Sequence, residues 1–78
     1  GMCLAVPGLI VSIEREGLAR SAWVDFGGVL RAAALACVPE ARAGDYVLVH
    51  AGVAIAVVDE AAAARMLEDL AALEEPAP

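Results

Sequence analysis

The sequence predicts a mainly β fold: a small closed antiparallel barrel of about five strands, followed by one C-terminal α-helix. Three observations predict it. Short apolar runs recur at close spacing between Leu9 and Val58. Gly-containing turns separate them. After Asp59 the apolar residues recur at helical spacing.

The elements follow in order. Met2 to Gly8 reads as an extended arm, because Pro7 disfavours helix at Val6 and Gly8 follows as a breaker. Leu9–Ile13 is a short β-rich run, and Glu14–Gly17 a polar hairpin loop. Leu18–Phe26 alternates in part, with Ala22 and Val24 on one face and Ser21, Trp23 and Asp25 on the other. Gly27-Gly28 supplies the positive φ angles of a two-residue hairpin, and Val29–Leu35 returns. Glu40–Asp45 is a loop, Tyr46–His50 a fourth strand, Ala51-Gly52 a turn and Val53–Val58 a fifth strand. Closure into a barrel removes the edges that such apolar strands would expose.

Asp59 is a good N-cap, and Glu60 complements the positive end of the helix that follows. Ala63, Met66, Leu67, Leu70 and Leu73 fall on one helical face, and Arg65 with Asp69 forms an i,i+4 pair on the other. The organisation is therefore an arm over 1–8, a barrel over 9–58, a helix over 59–75 and a disordered tail over 76–78. Gly1 reads as a tag remnant ahead of the initiator Met2.

Composition excludes several functions. The chain has 78 residues and a net charge of −6. Nucleic-acid binders concentrate basic residues on one face, and the five Arg here are scattered. The same balance disfavours anionic membranes, and no apolar run reaches transmembrane length. With no secretory signal in the sequence, the expectation is a cytoplasmic protein, in which a structural disulfide is out of place. Much of the 62% apolar content is alanine, so Val, Ile, Leu and Met must supply most of the hydrophobic stabilisation.

Cys3 and His50 are the residues with chemistry to offer. Cys3 lies on the arm, where an accessible thiol can bind a soft or borderline metal as thiolate. Composition alone weighs this evenly against an incidental cysteine, since no second ligand lies close in sequence. His50, the sole histidine, closes the fourth strand; it suits metal ligation or proton transfer, although a half-buried residue bonded to backbone is the commoner case. Cys37, between Ala36 and Val38, reads as a buried inert thiol. Trp23, Phe26 and Tyr46 read as core or turn packing. No phosphate-cradling glycine motif or nucleophile–base constellation is present.

Three segments carry a family resemblance. Met2-Cys3-Leu4-Ala5-Val6-Pro7-Gly8 resembles the N-terminal signature of the HypC/HupF hydrogenase assembly chaperones. Val24-Asp25-Phe26-Gly27-Gly28-Val29 is similar to the family's middle segment, and Gly44 to Ile55 to its third, with Val53 where the family often has Phe. The resemblance implies an OB-like barrel with a trailing helix and a non-enzymatic role in [NiFe]-hydrogenase maturation. It implies an iron cargo, Fe(CN)2CO, carried with the iron–sulfur protein HypD and delivered to the hydrogenase large-subunit precursor, with no permanently bound cofactor. The family's essential cysteine falls on Cys3 and its characteristic histidine on His50. Met2, Cys3, Leu4, Val6 and Pro7 are then the partner-binding residues. The competing readings are an OB-like oligonucleotide- or protein-binding module and a thiol redox protein using Cys3 and Cys37.

Overall fold

The computed structural model describes residues 5–17 and 19–74. Its strands are β1 (Val6–Arg15), β2 (Ser21–Asp25), β3 (Leu30–Ala34), β4 (Tyr46–His50) and β5 (Val53–Val58), and its helix is α1 (Glu60–Glu74). The strands close into a barrel in the order β1-β2-β3-β5-β4. The barrel is antiparallel except at its seam, where β3 and β5 meet in parallel through Ala34 and Val53. The expected antiparallel arrangement is corrected at that one pairing. There the end of β3 meets the start of β5, and the Ala34 N–H donates to the Gly52 carbonyl at 2.9 Å.

β1 holds the barrel together. Its first residues pair with β4 and its later ones with β2, and Leu9 faces Tyr46 on one side and Asp25 on the other. The strand starts at Val6, so Val6, Pro7 and Gly8 belong to the sheet and not to an extended arm. Pro7 is tolerated because β2 joins only from Leu9, leaving β1 a single neighbour there. Gly8 is likewise no breaker. A Cβ at Gly8 would lie 2.7 Å from Phe26 Cε1 and closer still to Val24 Cγ1. Glycine is needed for space.

The two hairpins fold as their turn residues dictate. Gly27 and Gly28 have φ of 67° and 102°, and the Phe26 N–H donates to the Val29 carbonyl at 2.8 Å. Asp25 Oδ1 accepts from the Gly28 N–H at 2.6 Å, which fixes the turn from its first flank. β4 and β5 are joined by Ala51-Gly52, which places His50 opposite Val53.

Core positions follow the period of two. Ala22 and Val24 of β2, Ala33 of β3, Val47 and Val49 of β4 and Ala54 of β5 point inward and are buried. Alanine fits because a barrel this narrow has little room inside. Leu35, Val38 and Ala41 complete the core from the β3–β4 connection. Arg20 anchors that connection: its guanidinium donates to the carbonyls of Pro39 at 3.0 Å and Ala41 at 2.6 Å and to Glu16 Oε1 at 2.9 Å. Two expectations fail here. Cys37 is exposed, because the Leu35–Val38 turn points its ends inward and its middle outward. Trp23 is 38% exposed on the outer face of β2, the side its alternation assigns, with no layer over it.

Asp59 caps α1, its Oδ1 accepting from the Ala62 N–H at 2.7 Å. The helix lies against β1 and β4. Ala63 is buried, Met66 and Leu70 are half-buried, and Leu67 is 46% exposed. A small barrel touches only a narrow stripe of the helix, and Leu67 falls at its edge. The expected Arg65–Asp69 pair does not form; the salt bridge among the described residues joins Arg20 and Glu16. The expected tail, 76–78, lies outside the described residues.

Candidate functional site

The start of β1 defines one end of the barrel. Val6 pairs with Val49, so the incoming chain enters beside His50 and the Ala51-Gly52 turn. Directly opposed residues in an antiparallel pair share a face. Val49 points inward, and Val6 therefore points to the barrel interior as well. Arg31 of β3 stands opposite the buried Val24 across the β2–β3 pair, but it lies at the open end of the barrel and is exposed.

A cavity of about 330 Å³ opens between these strands, lined by Val6, Phe26, Arg31, Val49 and Ala51. Its apolar wall depends on Gly8, which leaves the Phe26 ring room to lie over β1. Phe26 in turn is held by the Gly27-Gly28 turn and packs on the core. Arg31 is the one charged residue of the lining; it makes no ion pair or hydrogen bond with the described residues.

The residues singled out from sequence take different places. His50 is half-buried at the end of β4, on the strand face opposite to Val49, next to the cavity rim. Val6 is half-buried in the lining, and Pro7 is buried within β1. Met2, Cys3 and Leu4 lie outside the described residues. Cys3 stands three residues before Val6 in the sequence. Among the described residues, no three of His, Cys, Asp and Glu gather as a metal-binding group.

Arg31, Phe26 and Gly8 were not assigned to a site from sequence. The signal for Arg31 is present in the alternation Arg31-Ala33-Leu35, which sets its side chain on the same face as two core residues. Among the described residues no helix is long and apolar enough to cross a membrane.

Comparison with known proteins agrees with the three segments. The model of the HupF/HypC family matches residues 2–70. A hydrogenase maturation factor HypC of Synechocystis is 50% identical over 72 residues, covering 90% of this chain and 95% of the relative. The HypC of Rhodobacter capsulatus is 45% identical over 78 residues, covering 95% of this chain and 80% of that protein. The HypC of Cupriavidus necator is 39% identical over 77 residues, with 99% and 82% covered. With the barrel, the register at its mouth and these similarities together, the chain belongs to the HupF/HypC family.

Proposed function

We propose that this chain is a hydrogenase maturation factor that carries iron as cargo, an Fe(CN)2CO centre bound through Cys3. It acts without catalysing a reaction. It receives the centre in company with a HypD-like iron–sulfur protein in the cytoplasm and passes it to the hydrogenase large-subunit precursor. Membership of the family and the relatives' shared name support the maturation role. The observation that supports the site is the Val6–Val49 register, which sets the start of β1, three residues after Cys3 in the sequence, at the end of the barrel where β4 closes on His50.

The chemistry suits a carrier. Thiolate is a strong donor to low-spin iron, and a single protein thiolate can be exchanged at handover. A closed four-ligand site would hold the metal too firmly to release it. Free cysteine, with a pKa of about 8.5, is only a few per cent thiolate at neutral pH, so metal binding itself must draw off the proton. His50 supplies a second donor or a hydrogen bond at the rim. Met2, Cys3, Leu4 and Val6 form the docking segment, and Pro7, expected there too, is buried in β1 behind it.

The test is complementation of a strain lacking its own factor, scored by hydrogenase activity. Cys3→Ala and Cys3→Ser are expected to abolish maturation. His50→Ala is expected to lower it while the domain stays folded. Full activity from Cys3→Ala would overturn the carrier mechanism.

A further inference from the structure

β3 has a strand beside its whole length on one side only. β2 pairs with it from Leu30 to Ala34 without a register shift, whereas β5 meets it at Ala34 alone. Two hydrogen bonds show which backbone groups this leaves over. The Val29 carbonyl accepts from the Phe26 N–H, and the Leu35 N–H donates to the Arg20 carbonyl. Arg31 and Ala33, in the same phase of the ladder, therefore turn their backbone groups towards β2, and Leu30, Ala32 and Ala34 turn theirs away from it. The Ala34 N–H reaches the Gly52 carbonyl. Among the described residues, no backbone group takes up those of Leu30 and Ala32 on that side.

The surface along this edge is apolar. Leu30 is 55% exposed, and Trp23 stands directly opposite the exposed Ala32 on the outer face. Alanine is too small to cover an indole, and α1 lies elsewhere, against β1 and β4. β3 also lacks the usual guards of a free edge: it has no Pro, no Lys and no bulge. Its one charge is Arg31, a solvated side chain at the open end of the barrel. That charge decides between occupants. In a second copy, Leu30 would bond to Ala32 and Ala32 to Leu30, which sets Arg31 directly opposite Arg31. Pairing Ala32 with Ala32 instead brings Leu30 against Ala34, whose N–H is already bonded to Gly52. Like charges directly opposite destabilise a strand pair, and opposite charges stabilise it.

We infer that the free edge of β3 docks an extended segment of a partner protein, which adds to the sheet antiparallel to β3 with a carboxylate opposite Arg31 and apolar side chains on either side of it. The backbone groups of Leu30 and Ala32 supply the binding, and the pair at Arg31 selects the sequence. The apolar side chains fall on the outer face beside Leu30 and Ala32, and the carboxylate falls on the open, solvated end of the barrel.

The experiment titrates the full chain, labelled with nitrogen-15, with a short capped peptide that alternates valine and glutamate, and with its valine–lysine counterpart. Salt at about 0.15 M screens the long-range pull of the acidic chain on lysine. The glutamate peptide is expected to shift the amide signals of Leu30 and Ala32 and to slow their hydrogen exchange, with smaller changes at Arg31 and Ala33. The lysine peptide should bind about threefold more weakly, the size of a cross-strand charge pair. Arg31→Glu, a change at an exposed position, is expected to reverse that preference while circular dichroism stays that of the wild type. Ala32→Pro removes a donor that faces the free edge, not β2, and should abolish binding; the charge reversal at Arg31 keeps the test decisive if that variant fails to fold. Absence of shifts at Leu30 and Ala32, or the same peptide preference in wild type and Arg31→Glu, would overturn the docking site. Shifts of those amides with protein concentration alone, with a doubled mass by ultracentrifugation, would overturn the partner in favour of a second copy.

Discussion

Gly8 links the fold to the mouth through one missing atom. Its φ is ordinary; what matters is that Phe26 and Val24 occupy the space a side chain would need. Gly8→Ala must push the Phe26 ring or bend β1, and overpacking of this kind costs about 1–3 kcal/mol. A urea titration is expected to show that loss, and an unchanged midpoint would mean that the ring moves freely. The exposed thiol gives the opposite expectation. Cys37→Ser should change stability by less than about 0.5 kcal/mol, as surface substitutions usually do, and the same titration checks it. Cys37 also marks a limit of reading residues from their neighbours. Leu35 and Val38 are core residues on either side of it, but a turn breaks the alternation between them, and turns are not visible in hydropathy.

Elements were legible where turn chemistry and period agree. β4, β5 and the Gly27-Gly28 hairpin fall where the sequence puts them, because glycine and the flanking apolar runs leave little freedom of register. The start of β1 was not legible. Pro7 and Gly8 look like breakers to local rules, and only pairing with β4 turns them into strand. The β3–β4 connection was equally hidden, since its order comes from a distant side chain. Arg20 bonds the Pro39 and Ala41 carbonyls, and the Arg20 carbonyl accepts from the Leu35 N–H. Arg20→Met should therefore loosen that connection and destabilise the domain by about 1–3 kcal/mol, with faster amide exchange confined at first to the Leu35–Asp45 region. At the other end of the chain, Asp59→Ala removes the cap of α1. Its expected cost is about 1 kcal/mol, read as a lower melting temperature, with the barrel strands retained by circular dichroism.

At the scale of the molecule, the proposed function makes the barrel a mount for the short segment that bears Cys3. β1 pairs with β2 on one side and β4 on the other, and its start lies at a cavity lined by Val6, Phe26, Arg31, Val49 and Ala51. The fold class could be drawn from the sequence; Cys3 and His50 were singled out there with family resemblance supplying the chemistry, and their role belongs to the proposal. The cavity could not, because it exists only where β1, β3 and β4 converge through long-range pairing. The central claim is that this mount carries an iron centre by way of Cys3. It is tested most directly by infrared spectroscopy of the chain purified without oxygen alongside its HypD-like partner, before and after addition of the large-subunit precursor. The account predicts cyanide and carbonyl bands on wild type, their absence from Cys3→Ala, and their passage to the precursor; equal bands on Cys3→Ala, or bands that stay on wild type when the precursor is added, would contradict it.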